Sequence, residues 1–105
     1  MQVFVKFEVF ETITNREEIL QLREKVGKQL QKIQASGKMK AGSIFVDARG
    51  GFFLFDVQSS EEVLDLLGSP FIDHCRIETH PLMSYQKLGE FFQKDAATEA
   101  VHAVR

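Results

Sequence analysis

Hydrophobic and polar residues alternate at the start of the chain and then change to a helical spacing. Residues 2–10 alternate between two faces, which predicts a β-strand. One face receives Val3, Val5, Phe7 and Val9, and the other receives Phe4, Lys6, Glu8 and Phe10. After a capping pattern at Asn15, apolar residues recur every three or four positions up to Ile33, which predicts a helix of about five turns that ends near Gly37.

The remaining pattern predicts three more strands and two more helices. The strands are expected at residues 39–48, 51–57 and 74–80, with a hairpin turn at Arg49-Gly50-Gly51 between the first two. A short helix capped at Ser59 is expected to end at Gly68. A last helix is expected from Tyr85 onwards.

The order of these elements, β-α-β-β-α-β, is that of a ferredoxin-like α+β fold. We expect an antiparallel four-stranded sheet with both main helices on one face, in which strand 1 lies between strands 3 and 4. The pattern divides the chain into a ferredoxin-like domain at 1–83 and a C-terminal helical extension at 84–105. Strand 3 is apolar on both faces, as a central strand should be.

Composition limits the class of protein. The 105 residues are 44% hydrophobic and 27% charged, which is enough apolar content for one folded core. No apolar run is long enough to cross a membrane, and the first residues do not resemble a signal peptide. The single cysteine, Cys75, excludes a disulfide framework, so we expect a cytoplasmic protein.

Charge along the chain does not indicate a nucleic-acid partner. Residues 15–40 hold seven basic and three acidic side chains. Three of the lysines lie on one helical face, opposite the apolar stripe, where a solvated surface explains them. Binding to nucleic acid usually needs a broader basic surface with stacking aromatic residues, and this segment contains no aromatic residue.

The sheet face away from the helices carries the candidate chemistry. Strand 1 is expected to place Phe4, Lys6, Glu8 and Phe10 there, and strand 4 His74, Arg76, Glu78 and His80. An exposed face that also carries Phe residues needs a cover. A second copy packed face to face, forming a dimeric α/β barrel, would give that cover and a partly closed pocket. The plainer alternative is a set of cross-strand charge pairs on a solvated sheet.

Acid–base chemistry is the reaction type that these side chains favour. Glu78 or Glu8 could abstract a proton beside a carbonyl, while Lys6 or Arg76 holds a substrate carboxylate or a developing enolate. His80 is a candidate second proton carrier. No metal site is expected, because His74 and His80 would stand about 20 Å apart on an extended strand.

Three segments resemble one known family. Val3-Phe4-Val5-Lys6-Phe7 is similar to the opening strand of the muconolactone isomerases. Phe55-Asp56-Val57, followed by Ser59 and an acidic helix, looks like their third strand and second helix, and Ile77-Glu78 resembles their last strand. The likeness covers roughly residues 1–83.

The resemblance implies a ferredoxin-like chain that forms a dimeric barrel, often within larger rings. It also implies a cofactor-free proton shift within an unsaturated lactone, with Lys6 and Glu78 as the site positions that carry over. We therefore expect a homodimeric, isomerase-like protein that acts by proton transfer on a lactone or small organic acid. Two alternatives stay open: a non-catalytic ligand-binding or assembly module, and a cofactor-free monooxygenase-like barrel.

Overall fold

The structure is a computed structural model that describes the backbone of residues 1–104 and the side chains of residues 1–98. The strands are β1 Gln2–Val9, β2 Met39–Ile44, β3 Gly50–Asp56 and β4 Cys75–Pro81. The helices are α1 Arg16–Ala35, α2 Ser60–Ile72 and α3 Tyr85–Val104. The predicted order βαββαβ and the extra C-terminal helix are therefore confirmed.

The four strands form one antiparallel sheet in the order β2-β3-β1-β4. Strand β1 is central and pairs with β3 on one side and β4 on the other, as predicted. This arrangement matters for the site because β1 and β4 lie side by side along seven register pairs. Residues opposite each other in an antiparallel pair share one face of the sheet.

The hydrophobic core lies between the sheet and the two helices α1 and α2. The largest side chains that are completely buried there are Phe55, Phe71, Ile33, Leu67 and Val5. The Phe71 ring meets the Phe53 ring edge to face, at a centroid distance of 5.5 Å, a favoured geometry for aromatic pairs. No polar or charged side chain among residues 1–98 is buried. The ionisable groups of the described chain therefore all reach solvent, apart from the Cys75 thiol.

Local signals set the ends of α1 and the start of α2. The Asn15 side chain accepts hydrogen bonds from the backbone N–H groups of Glu17 and Glu18, so Asn15 caps α1 as predicted. Gly37 follows the end of α1 with a φ of 71°, the left-handed conformation that glycine adopts without strain. Ser59 caps α2 by accepting from the N–H of Glu62.

The predicted position of the β2–β3 hairpin turn is wrong. Strand β2 ends at Ile44, and the turn spans residues 45–49, with Ala48 adopting the positive φ of 59°. Gly50 and Gly51 lie within β3, where a Cβ atom would collide with backbone carbonyl oxygens of the neighbouring strands. The two glycines are there because the sheet backbones approach closely, and they do not form the turn.

The second helix breaks at Gly68, where its end was predicted, and a short second helical segment follows the break. Helical structure resumes after Gly68, whose φ of 67° and ψ of 178° make a kink, and it continues to Ile72. Pro70 is tolerated because it falls in the first turn after that kink. The continuation brings Phe71 into the core.

Helix α3 projects away from the rest of the chain. The molecule is 68 Å long but only 29 Å by 23 Å across, and a 20-residue helix accounts for about 30 Å of that length. Between Tyr85 and Thr98 every side chain is exposed except the half-buried Leu88. Arg105, the last residue of the predicted extension, lies outside the described residues. Among the described residues, no helix is long and apolar enough to cross a membrane.

Candidate functional site

The face of the sheet away from α1 and α2 is uncovered in the single chain. The Phe4 and Phe52 rings stack on it with a centroid distance of 5.5 Å. Leu54 lies opposite Phe4 in the register and shares the face. All three side chains are half-buried. We call this surface the open face.

Four charged side chains form one cluster on the open face. The register between β1 and β4 places Lys6 opposite Glu78 and Glu8 opposite Arg76. Together the four line a shallow depression of about 170 Å³. The structure therefore brings these four predicted site residues together, and two cations and two carboxylates meet beside an aromatic surface.

The strongest contact in the cluster runs along β1. The Lys6 Nζ lies 3.0 Å from Glu8 Oε1, whereas among residues 1–98 no ion pair joins Lys6 to Glu78 across the strands. The hydrogen bond to Glu8 and the attraction of that carboxylate raise the pKa of the Lys6 ammonium. Lys6 therefore stays a cation at neutral pH, and its ammonium is held by Glu8 rather than by Glu78.

His80 lies next to Glu78 at the end of the cluster nearer the Phe rings. The His80 Nε2 is 3.6 Å from Glu78 Oε2, and its ring centroid is 6.3 Å from that of Phe4. An imidazole beside a carboxylate can pass a proton to it or receive one from it. Both side chains are more than half exposed in the single chain, at 61% and 56%.

One other predicted member of the open face, His74, lies elsewhere. His74 precedes β4, and its Nδ1 is 3.0 Å from the carbonyl oxygen of Pro70 in α2. Its ring borders a hollow against α1 with Ile13 and Leu22, so its predicted position on the open face is wrong. Phe10 follows the end of β1 and borders a small hollow with Glu8 and Arg76 of the open face. Within the described residues, no three His, Cys, Asp or Glu side chains are close enough to hold a metal ion.

A second concave region lies on the opposite side of the sheet, and the sequence patterns did not reveal it. This groove of about 280 Å³ runs between α1 and the β2–β3 hairpin. Phe7, Phe71 and Cys75 contribute to its lining. One available signal was Gly27, a glycine in the middle of the α1 pattern, since glycine weakens a helix unless some other requirement favours it.

Comparisons with known proteins agree with this fold. The sequence model of the family described as "Muconolactone delta-isomerase" matches residues 1–87, which ends within the first turn of α3. A solved structure of muconolactone isomerase superposes with a TM-score of 0.65, covering 81% of this chain and 91% of that chain at 21% sequence identity. At that identity the superposition supports a shared fold alone. The comparison with curated proteins gives no match.

Proposed function

The chain belongs to the muconolactone delta-isomerase family, and from this premise we propose that it moves a proton within an unsaturated lactone or a small organic acid. The observation that supports this reaction most directly is the position of Lys6. Its ammonium is paired with Glu8 along β1 and lies opposite Glu78 on β4. A cation held beside a carboxylate base is an arrangement that suits proton abstraction next to a carbonyl.

The proposed reaction has two proton steps. Glu78 removes a proton from the carbon next to the carbonyl, so the C–H bond breaks and its electron pair moves into an enolate oxygen. The Lys6 ammonium stabilises the negative charge on that oxygen. The proton then returns to a different carbon of the same molecule, directly from Glu78 or through His80, whose Nε2 lies 3.6 Å from the carboxylate. Glu78 ends the cycle ionised, as it began.

Glu8 and Arg76 act in substrate binding in this proposal. Arg76 lies opposite Glu8 at the edge of the depression, where a guanidinium can hold a substrate carboxylate through two parallel hydrogen bonds. Glu8 keeps the Lys6 ammonium in place through the 3.0 Å contact. Arg76 thus sets the orientation of the substrate, while Lys6 meets the charge that develops during the reaction.

The proposed site needs a second protomer. In the single chain Glu78 and His80 are more than half exposed, and water at this level of exposure weakens electrostatic stabilisation. Packing two open faces together would cover Phe4, Phe52 and Leu54 and exclude water from the cluster. We therefore include a homodimer, formed through the open faces, in the proposal.

The test is proton exchange and isomerisation of muconolactone, followed by NMR in D₂O. Glu78→Gln keeps the shape of the side chain but removes the base, so we expect turnover to fall by about 10²–10⁴-fold. Lys6→Met should also reduce turnover, since it removes the cation and keeps the stem. The control is Glu24→Gln, which changes an exposed carboxylate on α1 and should leave turnover unchanged.

The other possible outcomes separate the alternatives. Saturable binding of the lactone without isomerisation or deuterium exchange would indicate a ligand-binding module. Oxygen consumption with an aromatic substrate would indicate a monooxygenase-like barrel. Sedimentation analysis of the same samples tests the dimer, and a monomer at the assay concentration would contradict the shielded site.

A further inference from the structure

The groove between α1 and the β2–β3 hairpin has an apolar interior that the proposed reaction does not use. Its floor includes the buried side chains Phe7, Phe71 and Cys75, and its walls include Val26 and Leu30 of α1. Ligand sites in proteins are generally concave and mostly apolar, with a few polar groups that orient the ligand. The groove supplies the apolar lining that such a ligand site needs.

Gly27 keeps the rim of the groove open. A Cβ atom added at Gly27 would meet nothing within 4 Å, and its φ lies outside the left-handed region. Neither close packing within the chain nor backbone conformation therefore requires glycine here. A glycine inside a helix costs about 1 kcal/mol relative to alanine. The missing side chain leaves an entrance on the α1 side of the groove.

The mouth of the groove carries one cation that the fold does not use. Arg49 donates hydrogen bonds to the carbonyl oxygens of Phe10 and Ile13, which ties the hairpin to the β1–α1 loop. Asp47 accepts a hydrogen bond from the Arg49 backbone N–H. Arg23 lines the same mouth, is exposed, and forms no ion pair within residues 1–98. Its guanidinium is available to an anion.

We propose that this groove is a second ligand site, which takes an arylcarboxylic acid of about ten heavy atoms. The size follows from the volume: a cavity of about 150 Å³ holds one benzene ring, and the groove is nearly twice as large, at about 280 Å³. The ring would contact Phe7 and Phe71, and the carboxylate would pair with Arg23. The site lies on the other side of the sheet from Lys6 and Glu78, so it does not depend on the proposed reaction.

Phenylacetate is the probe, and 2-phenylethanol is a neutral control of nearly the same shape. Both are titrated into the full-length, ¹⁵N-labelled protein. We expect phenylacetate to shift the backbone signals of Val26, Leu30 and Cys75 in a saturable way, and 2-phenylethanol to bind at least about fivefold more weakly. Shifts confined to the open face around Lys6 and Glu78, or no saturable shift, would overturn the proposal.

Two pairs of variants assign the contacts. Arg23→Gln should weaken phenylacetate binding at least about fivefold and leave 2-phenylethanol unchanged, whereas Lys32→Gln, an exposed cation elsewhere on α1, should change neither. Gly27→Leu should abolish the binding of both probes while Gly89→Leu, on α3, preserves it. Unchanged phenylacetate binding in both Arg23→Gln and Gly27→Leu would contradict the site.

Sedimentation of the same variants tests a different occupant of the groove. A ligand site predicts that Gly27→Leu leaves the molecular mass of the particle unchanged. A drop in mass on this substitution, together with no phenylacetate binding by the unmodified protein, would show that a second copy of the chain fills the groove, and the proposal would be wrong.

Discussion

Helices α1 and α3 are both 20 residues long, and both carry apolar side chains at helical spacing. The two differ in their surroundings. Helix α1 lies on the sheet and buries Leu22 and Ile33, whereas α3 leaves Phe91 and Phe92 each 58% exposed. An apolar stripe therefore predicts a helix, but its partner depends on where the preceding loop directs the chain. Most of the stability of a helix comes from tertiary packing of its apolar face.

The largest expected effect comes from replacing a phenylalanine by alanine in the core, compared with the same substitution in α3. Phe71 is fully buried, and Phe92 is largely exposed. We expect Phe71→Ala to lower the free energy of unfolding by about 3–5 kcal/mol, because it removes contacts and leaves a cavity. Phe92→Ala should change it by less than about 0.5 kcal/mol. Urea denaturation measures both, and similar losses would show that α3 is packed in solution.

The buried Cys75 thiol should make the free energy of unfolding depend on pH. Burial raises the pKa of the Cys75 thiol from 9.0 to about 11. Above pH 9 the Cys75 thiol ionises in the unfolded chain but keeps its proton in the folded chain. The stability present at lower pH is therefore lost as the pH rises towards 11. The loss should be about 2–3 kcal/mol.

Cys75→Ala provides the control for this pH effect. The variant lacks the thiol but keeps all other groups that titrate at high pH, so the difference between the two pH profiles isolates Cys75. We expect the wild-type free energy of unfolding to fall more steeply than that of the variant between pH 9 and pH 11. Parallel profiles would mean that the thiol is accessible to water.

Replacing Gly68 and Gly89 by alanine should change stability in opposite directions. Gly68 has a φ of 67°, and an added Cβ would press on the Gln29 side-chain amide, which donates a hydrogen bond to the Leu66 carbonyl oxygen. Gly68→Ala should destabilise the protein by about 1–2 kcal/mol. Gly89 in α3 has open space around it. Gly89→Ala should therefore stabilise the helical state of α3 by about 1 kcal/mol, the difference in helix propensity between the two residues.

The measurements for this pair are thermal unfolding for Gly68→Ala and hydrogen exchange of α3 amides for Gly89→Ala. Slower exchange confined to α3 would agree with an independent helix. A stabilised global unfolding transition in Gly89→Ala would instead show that α3 is coupled to the sheet, and the contrast between α1 and α3 would be weaker than the structure indicates.

Removing the projecting helix should have the smallest effect on folding. A chain of residues 1–84 keeps all the core side chains and lacks α3. Because α3 makes little contact with the rest of the chain, we expect the thermal midpoint to change by less than about 3 °C. A fall of more than about 10 °C, measured by circular dichroism, would show that α3 supports the domain at 1–83, directly or through a second protomer.

Much of the candidate site could be predicted from alternation alone. Because side chains on a strand point to opposite faces in turn, the patterns at residues 2–10 and 74–80 were enough to assign Lys6, Glu8, Arg76 and Glu78 to the open face. The element order then placed β1 beside β4. The His74 assignment failed because the alternation rule applies only within the strand, and β4 begins at Cys75.

The groove could not be predicted in the same way. Its lining comes from α1, the β2–β3 hairpin, α2 and both central and edge strands, so it exists only once these elements have packed. The turn within residues 45–49 was also misplaced, since the glycines that suggested a turn at 49–51 are needed for close approach of the strands. A local pattern does not distinguish these two uses of glycine.

The sequence by itself determined the elements, their order and the two faces of each strand, because these depend on residues a few positions apart. Only the tertiary structure decided that no ion pair joins Lys6 to Glu78, that a groove opens at Gly27, and that α1 is covered while α3 is not. These features depend on distances between side chains far apart in the chain, which packing sets and periodicity does not.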